Sequence, residues 1–187
     1  MVISPITKLV WIDLEMTGLM PSKNTILEIA CVITNQNFEP IDQPISRVIA
    51  QPPAILDQMD DWNKKHHAQS GLLEAVKQSQ TTLAQAEEQI LTLLQKHCKP
   101  QEAPLCGNSV WVDRLFLQTY MPKLEKYLHY RVLDVSSIKI LAGIWFGITP
   151  DDIKKQKNHR ALDDIHESIV ELIWYHQHIF KQDQNNI

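Results

Sequence analysis

Asp13 and Glu15 lie two apart in Lys8-Leu-Val-Trp-Ile-Asp-Leu-Glu15, a segment rich in β-branched and aromatic residues. Alternate side chains of a strand share a face, so both carboxylates would project together, opposite Ile12 and Leu14. That alternation also fits a strand with one wet face. The unbroken apolar run Leu9-Val10-Trp11-Ile12 fits instead a central strand covered on both sides, where two adjacent carboxylates need a cation to be tolerated. A third acid, Asp113, follows Cys106-Gly-Asn-Ser109 at the start of an apolar helical pattern, a position that the helix dipole alone would favour.

Near the C-terminal end, His159-Arg-Ala-Leu-Asp-Asp164 sets a histidine five residues before an acid. On an ideal helix that spacing separates the two by about 140°, from the roughly 3.6-residue turn. His159 and Asp164 can converge only if His159 precedes the helix or sits in a distorted first turn. Otherwise the pattern is a first-turn acid pair beside a surface histidine. Taken together, Asp13, Glu15, Asp113 and Asp164 offer hard oxygen donors suited to Mg²⁺ or Mn²⁺ rather than zinc. Two divalent cations would balance four carboxylates and could serve both oxygens of an in-line phosphoryl displacement. A histidine with an unperturbed pKa near 6.5 suits the role of general base.

The elements that must hold these groups are legible in outline. Lys8–Glu15, Thr25–Thr34 and Pro44–Ala50 read as strands joined by short connections, neighbouring and antiparallel. From Ala54 the pattern turns helical. Thr82 with Gln85 has capping-box spacing, and Leu83, Ala86, Ile90, Leu91 and Leu94 form one stripe of a helix that must stop before Pro100. Ala103–Gly107 reads as a short strand, followed by a helix over about 110–120. Val132–Asp134 is another short strand, Ser136 caps a helix to about Phe146, and a last helix runs from about Arg160 to Gln177. Strands first, then strands alternating with helices, predict an α/β three-layer fold with a central mixed β-sheet flanked by helices, one domain over 1–187.

Composition narrows the function. The 187 residues carry 18 basic and 22 acidic side chains, a net charge of −4, which argues against coating a long duplex. Three cysteines without a CxxC pairing read as reduced, buried thiols. There is no signal-peptide pattern and no run near the roughly 18 apolar residues of a membrane span, so a soluble, cytoplasmic protein is expected. Trp145, Phe146, Trp174 and Tyr175 read as core, with a dimer surface as the other possibility.

Three motifs, Trp11-Ile-Asp-Leu-Glu-Met-Thr-Gly-Leu19, Cys106-Gly-Asn-Ser109 with Asp113, and His159-Arg-Ala-Leu-Asp-Asp-Ile165, resemble those of the DEDD exonuclease superfamily, histidine subtype. Met59-Asp-Asp-Trp62, His129-Tyr-Arg131 and Leu133-Asp-Val-Ser136 are similar to oligoribonuclease in particular, and the likeness spans about residues 8–180. It implies a ribonuclease-H-like fold, a homodimer, and 3′→5′ hydrolysis of short single-stranded RNA, above all 5′-phosphorylated dinucleotides. Asp13, Glu15, Asp113 and Asp164 would bind the two metals, and His159 would be the general base, leaving Asp163 a neighbour. Leu19 would wedge against the bases and Trp62 would touch one, although Trp62 also fits a core tryptophan. Tyr130 would reach a base from the other subunit. Ser109, Arg131, Ser136, Ser137 and His67 would cap the 5′ phosphate, with arginine as a bidentate fork and hydroxyls as neutral donors. For Ser136 a helix N-cap is a compatible second role.

Val110-Trp111 stands where relatives have a small residue, Asn158 replaces a hydroxyl residue before the base, and Ile140–Lys155 lacks an expected basic pair, with Lys154, Lys155 and Lys157 nearby. None of these removes a ligand or the base. A general DNA- or RNA-trimming exonuclease would share the metal chemistry. A domain lacking a ligand or the base would be a binding module, and here all five positions are filled.

Overall fold

The computed structural model describes residues 6–149 and 160–180. Strands β1 (Lys8–Met16), β2 (Ile26–Asn35), β3 (Ile45–Val48), β4 (Pro104–Gly107) and β5 (His129–Asp134) form one sheet in the order β3-β2-β1-β4-β5. The first three pair antiparallel, as their short connections predicted, and β1, β4 and β5 run parallel, so the sheet is mixed. Between β3 and β4 lie α1 (Pro53–Asp57), α2 (Asp61–Gln69), α3 (Leu72–Gln78) and α4 (Leu83–His97). Helices α5 (Trp111–Tyr120) and α6 (Pro122–Tyr127) join β4 to β5, and α7 (Val135–Phe146) and α8 (Ala161–Tyr175) complete the order, followed by a π-helical turn at His176–Phe180.

Period-two alternation in β1 divides the interior. Val10, Ile12 and Leu14 pack with Ile90, Leu94, Phe116, Leu117 and Leu124, under α4–α6. Leu9 and Trp11 pack on the other face with Val135, Ala161, Ile165, Ile169 and Tyr175, under α7 and α8. A small third cluster places Leu27 against Leu56, Met59, Leu72 and Val76 of the α1–α3 segment. Burying each large apolar side chain fully contributes about 1.5–3 kcal/mol relative to exposure. Three layers of helix, sheet and helix result, and β1 is covered on both faces from Leu9 to Ile12.

The Thr82–Gln85 capping box forms: Thr82 Oγ1 accepts from the Gln85 N–H at 3.2 Å, and Gln85 Oε1 accepts from the Thr82 N–H at 2.9 Å. Three expectations need correction. The cap of α7 is Asp134 rather than Ser136, because the helix begins at Val135 and the Asp134 carboxylate accepts from the Ser136 N–H at 3.0 Å. The strand expected at Val132–Asp134 starts at His129, because a register shift at Pro104/Leu105 lets Pro104 pair with His129. Trp145 and Phe146 are not core: they are 65% and 56% exposed on α7, beside exposed Ile140, Leu141 and Ile144. Tyr175 is buried as expected. Among the described residues, no helix is long and apolar enough to cross a membrane.

Candidate active site

The chain directions bring the named residues to one edge. Parallel pairing of Val10 with Leu105 and of Gly107 with Asp134 aligns the C-terminal ends of β1, β4 and β5. At that edge lie Asp13 and Glu15 of β1, Ser109 and Asp113 after β4, Asp134 at the end of β5 and Ser136 after it. Ligand sites of open α/β sheets form in this place, where strand order reverses.

Asp13 and Glu15 continue the Leu9/Trp11 face of β1 and therefore point toward α8. Oxygen atoms of Asp13, Glu15 and Asp164 all lie within 4.8 Å of one another. Asp164 reaches them from the first turn of α8, where its N–H donates to the Arg160 carbonyl at 3.0 Å. Asp113, in the first turn of α5 and buried, accepts from the Leu14 N–H at 3.0 Å. That bond ties the third acid to the strand carrying the first two.

Like charges in a dry place leave a strong electrical signature. Burial pushes the Asp13 carboxyl well above the ordinary range, and Asp113, Asp164, Glu15 and Glu28 push it further. Glu15 is pushed up to about 8, by burial first and then by Asp164 and Glu28, with Arg160 acting against them. Asp113 is also raised, by burial, while bonds from backbone N–H groups oppose the rise. Three carboxyls with elevated pKa values at one sheet edge mark a place built to receive positive charge.

The other expected residues fall into two neighbourhoods. Leu19 and Trp62, 72% and 66% exposed, line a cavity of about 600 Å³ together with Thr17, Gly18, Met20, Asn24, Gln58, Asp60 and Asn63. Trp62 is thus no core residue; it stacks on His66 with ring centroids 4.3 Å apart. Asn24 holds the Leu19 loop, accepting from the Met20 N–H at 3.0 Å and donating to the Thr17 carbonyl at 3.3 Å. A side chain at Gly18 would come within 2.7 Å of Asn24.

In the second neighbourhood the Ser109 N–H donates to Asp134 Oδ1 at 2.9 Å and to Ser136 Oγ at 3.2 Å. The Ser136 hydroxyl donates to the same Asp134 oxygen at 2.5 Å. Ser137, Arg131 and Tyr130 are exposed, and on β5 the Arg131 guanidinium lies 5.3 Å from the Tyr130 ring centroid. His67 belongs to neither group. It is buried, its Nε2–H donates to the Met16 carbonyl at 2.9 Å, and its Nδ1 faces Glu15 at 3.7 Å. Trp111 is 61% exposed. His159, Asn158 and the lysines 154, 155 and 157 lie outside the described residues.

Comparison with known proteins bears on this arrangement directly. The family model described as Exonuclease (RNase_T) matches residues 10–172. Oligoribonuclease of Marinobacter nauticus is 48% identical over 174 residues, 93% of this chain and 97% of that protein. Human mitochondrial oligoribonuclease is 46% identical over 179 residues, 94% of this chain and 74% of that protein. The chain belongs to the oligoribonuclease family of exonucleases. Its enzyme class is that of a nuclease, a hydrolase. Among solved structures, E. coli exonuclease I in complex with a dT13 oligonucleotide matches with TM-score 0.67 and 14% identity over 91% of this chain. The shared fold is of the ribonuclease-H-like kind, and this family member spans 41% of the exonuclease I chain.

Three residues of this oligoribonuclease-family site, Glu28 outside the motifs and Arg160 and Asn108 within them, received no role from the sequence. Glu28, buried in β2 directly opposite Glu15, is gripped by Arg160, whose Nε and Nη2 donate to its two oxygens at 2.9 and 2.8 Å. Burial works to raise the Glu28 pKa, but bonds from Arg160 and Ser46 outweigh it and hold the carboxyl below its usual range. Asn108 donates to Ser168 Oγ at 2.8 Å and to the buried Glu171 at 3.2 Å, tying the loop after β4 to α8. A lone acid inside the apolar run Ile26-Leu-Glu-Ile-Ala30 was the available signal for Glu28.

Proposed function

We propose that this chain is a 3′→5′ exoribonuclease that hydrolyses short oligoribonucleotides, above all 5′-phosphorylated dinucleotides, to 5′-mononucleotides. The observation that carries this reading is the convergence of Asp13, Glu15 and Asp164 in a chain whose oligoribonuclease relatives match it over nearly its whole length. The residues fit divalent cations. They are hard oxygen donors crowded in a dry place, and the nearby Arg160 charge is already paired with Glu28. Asp13, Glu15, Asp113 and Asp164 would hold two Mg²⁺ or Mn²⁺ ions. When bound, these would neutralise the cluster and polarise the phosphodiester for displacement at phosphorus.

The remaining chemistry falls to the side chains. His159, adjacent in sequence to Arg160, takes the proton of the attacking water on an imidazole nitrogen. Leu19 and Trp62 grip the bases at the cavity between the β1–β2 loop and α2, since an exposed tryptophan offers a stacking face to any base. Arg131, Ser109, Ser136 and Ser137 surround the 5′ phosphate. Asp134 already accepts from the Ser109 N–H and the Ser136 hydroxyl, so the Arg131 fork and the Ser109 and Ser137 hydroxyls carry most of that recognition. His67, buried with Nε2 bound to Met16 and Nδ1 facing Glu15, borders the acid cluster. A site closed around the 5′ phosphate leaves no exit for a longer strand, consistent with a net charge of −4.

The chain acts as a homodimer. Supporting this are the exposed Ile140, Ile144, Trp145 and Phe146 on α7 and the exposed Tyr130 and Val132 on β5, the strand that precedes it. Several large apolar side chains exposed on one helix mark an interaction site. Tyr130 of one subunit then completes the base site of the other.

The test is a time course on a 5′-phosphorylated RNA dinucleotide and on a long single strand, with Mn²⁺ and with EDTA. Fast, metal-dependent cleavage of the dinucleotide alone is expected. Preference for the long strand would make the protein a general exonuclease, and no cleavage of either would make it a binding module.

A further inference from the structure

We infer that Glu28 and Arg160 form a clamp that positions the start of α8, and with it Asp164, for the hydrolysis proposed above, on which this inference rests. Glu28 faces α8 from the middle of the sheet, opposite Glu15 and 1% exposed. A fifth acid there works against the other four, raising Asp13 and Glu15. Its oxygens are also spoken for. Oε1 accepts from Arg160 Nη2 and from the Ser46 hydroxyl, each at 2.8 Å; Oε2 accepts from Arg160 Nε at 2.9 Å and from the Ala161 N–H at 3.4 Å. Glu28 therefore has little left for a cation, and its carboxylate does a different task.

That task is set by where α8 begins. Arg160 occupies the N-cap position, and its side chain makes no capping bond of its own. Helix starts leave N–H groups without partners, and a carboxylate there is favoured by the helix dipole. Glu28 supplies this acceptor from the sheet. The guanidinium, planar and bonded through two nitrogens, fixes orientation as well as distance. From Arg160 the path to the cluster is one helical turn: its carbonyl accepts from the Asp164 N–H at 3.0 Å. A shift of this turn moves a cluster acid, whereas the base-gripping cavity at Leu19 and Trp62 is built from other segments.

Arg160→Lys keeps the positive charge and loses the fork. Glu28→Gln combined with Arg160→Gln removes both charges, so the local net charge is unchanged while the clamp is gone. Mn²⁺ binding is measured from free Mn²⁺ by electron paramagnetic resonance, thermal unfolding is followed without metal, and kcat and KM are determined separately on the dinucleotide. Both variants are expected to fold, and to lose about 10–100-fold in Mn²⁺ affinity and in kcat, the usual effect of removing a group that orients metal-binding residues. KM should stay near that of the parent, because the base-gripping residues are untouched. Mn²⁺ affinity equal in the parent and both variants, including no binding in any, overturns the clamp. If the parent binds Mn²⁺ yet cleaves no RNA, the proposed function falls and the Mn²⁺ comparison still decides the clamp.

Discussion

Carboxylic acids held as close as Asp13, Glu15 and Asp164 are stable without metal only while they share protons. The folded pKa values of Asp13, Glu15 and Asp113 lie above those of the unfolded chain, so the stability linked to them is fully present below about pH 4 and is lost as pH rises through the folded values, near 8 for Glu15. In EDTA, the melting temperature is therefore expected to fall between about pH 5 and about pH 8, and Mn²⁺ should cancel that fall. Scanning calorimetry at several pH values checks this; a flat metal-free profile would contradict the crowding. Asp13→Asn should raise the metal-free melting temperature at neutral pH, by about 2–4 °C per kcal/mol relieved in a chain of this size, while abolishing cleavage. His159→Ala tests the proton acceptor. Turnover should drop roughly 10²–10⁴-fold with Mn²⁺ and dinucleotide binding retained, and near-parental turnover would remove His159 from that role.

Elements show why parts of this site could be read from sequence and others could not. The pairing of Asp13 with Glu15 depends on a period of two within one strand, so spacing alone displayed it. The capping box of α4 is likewise local. Glu28 depends on the register between β1 and β2 and on Arg160, 132 positions away in the chain, and no local pattern carries that. Ser136 and Asp134 are both competent caps; a two-residue shift in where α7 starts chose the acid. Exposure of Trp62 is equally non-local, because α2 is amphipathic too weakly to say which side faces the sheet. That exposure yields a prediction for the β1–β2 loop and α2. Trp62→Ala should weaken dinucleotide affinity by roughly 1–3 kcal/mol, the usual worth of a base stacked on an aromatic ring, with smaller change in kcat. Steady-state kinetics on the dinucleotide checks it, and an unchanged KM would take Trp62 out of the substrate site.

At the scale of the molecule, fold class and sheet composition followed from element order, but the apolar outer face of α7 did not, since periodicity cannot tell a core from an interface. Ile144→Glu places a charge on that face. Light scattering coupled to size exclusion should show a dimer for the parent and a monomer for this variant; a monomeric parent would leave α7 to some other partner. The cluster takes Asp13 and Glu15 from the first strand and Asp164 from the last described helix, with most of the chain between them. During translation the early residues leave the ribosome long before α8 does. Under the proposed chemistry, a growing chain is inert toward the RNA around it, and one cut short before α8 stays inert rather than becoming partly active. Under that chemistry hydrolysis would begin only with the docking of α8, a built-in delay that would keep a nuclease harmless while it is being made.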